Sequence, residues 1–301
     1  GSTQGLITNN TGVTTGVLDT LTNIQNVTTG GGNDTIWAGS TASVIKTGAG
    51  TDTIYGGTGV ETIDAGSGND YIYASAGNDV IDGADDSDTV DYSSSTTGIT
   101  VTLANDGALT SVSHNISGVF IDNLTNIEGI KGSSTVSNTL TGNNMNNTLI
   151  GGNQADVIKG GSGNNYLNGG AGINTIYAGT GSDTIIGGSS DANWLYYSDI
   201  SADVNVNLKA GTATYGSSTD TISQIRNLQM GNGTNIVEGN SDANSFIGGT
   251  GIDTLSYSGA SNAVTLNVTT SGAGTSTGDG SDTFVNFENY TLSGNADVAN
   301  L

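Results

Sequence analysis

Cysteine and proline are both absent from the 301 residues, and five basic residues face 28 acidic ones. Without cysteine no disulfide can staple a thin fold, so bound metal is the remaining candidate for that role. So few basic residues exclude a nucleic-acid footprint and argue against anionic membrane surfaces. No apolar run approaches the roughly 20 residues of a membrane span. Only 34% of residues are apolar, too few for a large conventional core. That scarcity, with a net charge of −23, would by itself suggest disorder. Two features oppose disorder: the acids are regularly spaced, and Ile, Val and Leu recur at a fixed interval.

The interval is nine. From Thr29 to Asp91 the chain divides without a gap into TGGGNDTIW, AGSTASVIK, TGAGTDTIY, GGTGVETID, AGSGNDYIY, ASAGNDVID and GADDSDTVD. The eighth position is Ile36, Ile45, Ile54, Ile63, Ile72, Ile81 and Val90. One apolar residue in nine matches neither a helix nor an ordinary strand. It matches a coil in which six residues turn and three form a short strand with one side chain inward. Glycine fills the turn because that backbone needs conformations closed to other residues.

A second array, 133–198, places Leu140, Leu149, Ile158, Leu167, Ile176 and Ile185 inward, and a short third, 230–258, places Val237, Phe246 and Leu255. Each array ends on a Tyr-Ser pair at Tyr92, Tyr197 or Tyr257, read as a cap on the roll. Alternating strands follow (Ile99/Val101/Leu103, Val204/Val206/Leu208, Val264/Leu266/Val268), and a lead-in starting at Asp19, Asp122, Asp220 or Asp282 precedes the next module. The expected fold is all-β: a parallel β-roll or β-helix solenoid with short antiparallel-type segments between rolls. The expected organisation is lead-in 1–28, calcium roll 29–93, inter-roll segment 94–132, Asn-rich roll 133–198, inter-roll segment 199–229, short roll 230–258, and 259–301 as an inter-roll segment opening a further module. The chain begins inside one module and ends inside another, which predicts a piece of a longer protein. A three-repeat array cannot bury a core alone, which favours one extended stack over separate beads.

Calcium takes six to eight oxygens from carboxylates and carbonyls. Gly-rich turns present carbonyls, and the sixth position of each repeat presents a carboxylate. Two nonapeptides make one coil, so residues 18 apart share an edge. One edge of the first array reads Asp34, Asp52, Asp70, Asp88, and the other Ser43, Glu61, Asp79. Like charges stacked this way repel unless a cation lies between them. Three sites are expected on the first edge and one, Glu61/Asp79, on the second, with the Ser43 pairing weak or empty. The turn glycines Gly30, Gly32, Gly48, Gly50, Gly57, Gly59, Gly66, Gly68 and Gly77 complete the candidate metal set. In the second array the sixth positions are Asn138, Asn147, Asp156, Asn165, Asn174 and Asp183, and in the third Asn235, Asn244 and Asp253. No two Asp of the second array then face each other, and a ladder of amides can close those turns without metal. Calcium is therefore expected to concentrate in 29–91.

These nonapeptides resemble the GGxGxDxUx repeat of RTX proteins, most specifically in the first array. The resemblance implies a parallel β-roll holding calcium between turns, and export by a type I secretion system. It also implies an extracellular, cell-surface setting, since surface-layer proteins and large adhesins carry such modules. Secreted proteases, lipases and cytolysins carry them too. The leading expectation is a structural, non-enzymatic, calcium-binding segment of a bacterial surface protein; the alternative is the C-terminal calcium-folding region of a secreted hydrolase or toxin. Expected partners are calcium and either copies of the chain in a lattice or a cell-surface glycan. Trp37, Tyr55 and Tyr73 at 18-residue spacing predict an outward aromatic ladder, read first as packing over the sheet and second as a glycan platform. His114, the only histidine, reads as a surface-loop residue. Asp85, Asp86 and Asp91 read either as a terminal calcium site or as solvated surface.

Overall fold

The computed structural model describes residues 4–10, 19–22, 25–105, 107–190, 192–269 and 272–301, with 4–10 and 19–22 described as backbone. The chain forms two compact units, Gly1–Gln154 and Ala155–Leu301, and the division falls inside the second array. Among the described residues there is no helix, and hence none long and apolar enough to cross a membrane.

In the first unit, strands of three to seven residues stack in parallel on two faces. One ladder runs through Asn33–Trp37, Thr53–Tyr55, Tyr71–Tyr73, Thr89–Asp91, Gly129–Lys131 and Thr148–Gly152. The facing ladder runs through Asn26–Thr28, Ser43–Ala49, Glu61–Ser67, Val80–Asp82 and Val119–Thr125. The eighth-position residues meet between them: Ile36, Ile54, Ile72 and Val90 from one side, Ile45, Ile63 and Ile81 from the other, all buried. A core one side chain thick suffices because each coil covers the next, which is how repeat folds bury a face that no repeat could bury alone. At the end of the first ladder, Gln4–Asn10 pairs antiparallel with both Asp19–Thr22 and Asn33–Trp37. The β-roll and the interspersed antiparallel segments thus stand as expected.

The segments between rolls are woven into the stack rather than set beside it. Thr100–Thr102 pairs in parallel with Thr139–Thr141, and Thr110–Asn115 forms a hairpin with Val119–Thr125. Leu124 of that lead-in lies opposite Ile81, and Ile130 opposite Val90. This lead-in continues the coils in register.

The second unit repeats the scheme. Tyr166–Gly170, Thr184–Ile186 and Ser218–Ser223 stack in parallel, and Thr212–Tyr215 folds back antiparallel between Ser218–Ser223 and Asn205–Asn207. The other ladder joins Val157–Lys159, Thr175–Tyr177, Trp194–Tyr196, Asn227–Gln229, Ser245–Ile247 and Ser281–Val285. Leu195 follows Ile176 by 19 residues rather than 18. Leu195 still lies opposite Ile176, and Asn193 takes the sixth position.

Candidate metal centre

Within each edge of the first roll, one carboxylate oxygen does the same backbone job. Oδ1 of Asp52 accepts the Asp34 N–H (2.7 Å), Oδ1 of Asp70 that of Asp52 (2.7 Å), and Oδ1 of Asp88 that of Asp70 (2.8 Å). The sequence reading missed the next step, in which Oε2 of Glu128 accepts the Asp88 N–H at 3.1 Å. Each bond fixes a side chain at the mouth of its turn and leaves the other oxygen unused. Oδ2 of Asp52, Asp70 and Asp88 and both oxygens of Asp34 are buried without a hydrogen-bond partner. A buried polar atom without a partner costs about 1–3 kcal/mol, more if charged. Burial, the largest influence, pushes the Asp70 carboxyl up to about 7 and that of Asp88 up to about 8, and raises that of Asp52. A divalent cation shared between successive carboxylates would supply what these oxygens lack. The unpaired oxygens therefore fit calcium.

The second edge differs. Oδ1 of Asp79 accepts the Glu61 N–H at 2.8 Å, and Oδ1 of Asp122 accepts the Asp79 N–H at 2.9 Å. Here hydroxyls reach the remaining oxygens. Ser75 donates to Asp79 Oδ2 (3.1 Å) and lies 3.5 Å from Glu61 Oε2, while Ser43 lies 3.4 Å from Glu61 Oε1. Burial and the charge of Asp79 push Glu61 up to about 7. Glu61 and Asp79 are thus brought together, with weaker demand for a cation than on the first edge.

The turns are built for close stacking. Gly48 and Gly66 lie opposite each other with φ of 100° and 99°, and a Cβ on Gly66 would collide with the carbonyl of Gly48. Gly57 and Gly59 do not need left-handed backbone. They are glycine because a Cβ would strike Gly39 and Thr41 of the previous coil. The rule that only glycine fits has two exceptions: Ala84 (φ 71°) and Asp86 (φ 80°) stand 18 residues after Gly66 and Gly68. Among the described residues no group of three or more His, Cys, Asp or Glu side chains is placed to hold a metal ion.

The Asn-rich rolls keep the backbone job and change the other atom. In the second unit, Oδ1 of Asn174 accepts the Asp156 N–H (2.9 Å), and Oδ1 of Asn193 that of Asn174 (2.8 Å). Where an aspartate has an unused oxygen, the amide nitrogen donates to turn carbonyls. Asn174 Nδ2 reaches Gly172 (3.2 Å) and Gly187 (3.0 Å), and Asn165 Nδ2 reaches Gly163 (3.0 Å). The expectation that aspartates never face each other in this array fails once the lead-in is counted, because Oδ1 of Asp220 accepts the Asp183 N–H at 2.9 Å. In the third array Asp253 Oδ1 accepts both the N–H and Nδ2–H of Asn235, at 3.0 and 2.8 Å.

His114 and Asp91 are placed otherwise than their sequence positions suggest. His114 is not in a surface loop: it is fully buried, with Nε2 3.1 Å from Asp122 Oδ2 and its ring between Tyr92 and Phe120. Spacing could not show this, because the hairpin that carries it inward has no nonapeptide period. Asp91 is buried in a polar knot with Tyr71 (2.7 Å), Lys131 (3.0 Å) and the Ser93 N–H (2.7 Å). Burial pushes its carboxyl up, but these bonds outweigh it and hold it below the usual range. Asp85 and Asp86 are exposed. The aromatic ladder exists: Trp37 stacks on Tyr55 at 5.2 Å and Tyr55 on Tyr73 at 4.4 Å, with planes within 5°. Ring faces buried against one another cannot also receive sugars, which favours the packing reading.

The model of the RTX calcium-binding nonapeptide repeat matches residues 28–60, 55–90, 141–176, 168–191 and 231–259, together just under half of the chain. The chain carries RTX calcium-binding nonapeptide repeats. No curated protein matches the chain. RTX repeats are calcium-binding motifs, so calcium is the cation of these rolls. The matched residues form three blocks, 28–90, 141–191 and 231–259.

Proposed function

We propose that this RTX chain is a structural, non-enzymatic segment of an extracellular bacterial surface protein, of surface-layer or adhesin type, stiffened by calcium after type I export. The observation that carries this reading is the row of unpaired buried oxygens on Asp34, Asp52, Asp70 and Asp88. Such a row opposes folding until a divalent cation is available. Extracellular calcium modules bind at about 10⁻⁴ to 10⁻³ M, so these seats fill outside the cell. With free calcium at ten times Kd, each site adds about 1.4 kcal/mol to the folded state. The surface role is supported by three recurrences of one module: roll, Tyr-Ser stop, hairpin, lead-in. A chain that repeats one rigid unit extends or tiles.

The test is a calcium titration followed by far-UV circular dichroism and X-ray scattering. Growth of β signal with compaction between 10⁻⁴ and 10⁻³ M is expected, and an identical signal in chelator overturns the reading. Two-dimensional lattices on adding calcium would select a surface layer over an adhesin. A catalytic domain encoded upstream would instead make the segment the calcium-folding region of a secreted hydrolase or toxin.

A further inference from the structure

Each hairpin between rolls drops one polar side chain onto the lead-in aspartate. His114 reaches Asp122, Tyr215 reaches Asp220, and Ser276 reaches Asp282 at 2.9 Å. The Tyr215 hydroxyl shows what this contact does. It donates to the carbonyl of Gly181 at 2.7 Å and lies 3.4 Å from both the Gly179 carbonyl and Asp220 Oδ1. Gly179, Gly181 and Asp183 are the second, fourth and sixth residues of one nonapeptide, AGTGSDTII. Asp220 is the carboxylate that faces Asp183 in the next coil. Turn carbonyls with two facing carboxylates are the donor set of the first roll.

We infer that the Asp183/Asp220 junction is a latent calcium seat, held shut by the Tyr215 hydroxyl occupying the cation's position. Charge is not what the junction lacks: Asp183 Oδ2 is buried without a hydrogen-bond partner, like its counterparts in the first roll. The carbonyls are what the tyrosine takes. A hydroxyl donating its proton to Gly181 uses an acceptor that calcium would need, and its ring fills the approach, for Tyr215 is 7% exposed. The second facing carboxylate is engaged as well, since Asp220 Oδ2 accepts the hydroxyl of Tyr197 at 2.8 Å. The hairpin thereby closes a seat that the facing carboxylates would otherwise leave open. Two facing carboxylates, taken by themselves, would assign calcium there.

This inference rests on calcium filling the first roll, and three variants of the full chain separate the two claims. The measurement is calcium bound per chain at saturation, by native mass spectrometry. Asp52→Asn is expected to lower the count; an unchanged count sinks the calcium reading itself. Asp183→Asn, which places the residue already used at sites such as Asn165 and Asn174, is expected to leave the count unchanged. A fall of one would mean that the seat is filled in the native chain, and would overturn the proposal. Tyr215→Ala is expected to bind one calcium more than the native chain and to lose it again when Asp183→Asn is added. A folded Tyr215→Ala chain with the native count overturns the proposal equally. Should Tyr215→Ala fail to fold, the Asp183→Asn count still decides.

Discussion

The hydroxyl of Tyr92 donates to Oδ2 of Asp122 over 3.0 Å, and the pairs Tyr197–Asp220 (2.8 Å) and Tyr257–Asp282 (2.9 Å) repeat the bond at the other two stops. All three tyrosines are buried at 0–1% exposure. A tyrosine here does for a lead-in carboxylate what calcium does for a roll carboxylate: it satisfies the oxygen that the backbone ladder leaves over. Tyr197→Phe should therefore destabilise the fold by about 1–3 kcal/mol, the cost of an unsatisfied buried acceptor. Because no metal is involved, urea melts should show the same loss in calcium and in chelator. A loss that calcium abolishes would contradict the role assigned to the bond.

Aspartate and asparagine at the sixth position differ by one atom, and that atom reverses the dependence on metal. Asp70→Asn should weaken calcium binding at the two seats it shares with Asp52 and Asp88 while stabilising the metal-free fold by roughly 1–3 kcal/mol, because an unpaired buried oxygen is replaced by a donor aimed at turn carbonyls. Melting in chelator should rise and melting in calcium should fall. A fall under both conditions would mean that the metal-free fold already satisfies this carboxylate.

The nine-residue interval made most of the fold legible, because one inward residue per coil and one carboxylate per turn are both periodic. Ile36, Ile54 and Ile72 stack as spacing required, and Asp34, Asp52, Asp70 and Asp88 form one edge. What escaped was aperiodic. Glu128 joins the first edge 40 residues after Asp88, and Asp122 joins the second 43 after Asp79. The chain leaves the stack between them and returns through a hairpin whose length no repeat announces. His114 was misread for the same reason: its burial is set by its hairpin partner Phe120 and by Tyr92, neither of which lies at nonapeptide spacing.

Ala84 carries a left-handed backbone, φ 71°, in the column where Gly66 has 99°. A non-glycine residue pays about 1–2 kcal/mol in that region, against about 0.5–1 kcal/mol of extra chain entropy for glycine. Ala84→Gly should therefore stabilise the last coil of the first roll by about 0.5–1 kcal/mol. The reverse change, Gly66→Ala, should destabilise it severely, because the added Cβ meets the carbonyl of Gly48. Thermal melts of the two variants in calcium check the sign. Ala84→Gly melting below the native chain would show that the strain is relieved elsewhere.

Without calcium the roll should become less stable as pH rises. Burial, the dominant cause, raises Asp70 to about 7 and Asp88 to about 8 from an ordinary 3.8, and Glu61 to about 7 from 4.5. Between pH 4 and pH 8 the metal-free fold therefore holds more protons than the unfolded chain. Stability falls with pH wherever the native state binds the excess protons, so the loss runs through this window and levels off above about pH 8. Calcium inverts the dependence, because cation and proton compete for the same carboxylates and metal affinity grows as they ionise. In chelator the melting temperature at pH 5 should exceed that at pH 8.5 by at least about 2 °C, the shift for roughly 1 kcal/mol in a chain of this size. In millimolar calcium the order should reverse. Parallel pH profiles with and without calcium would show that the carboxylates of Asp70 and Asp88 are not where the metal is held.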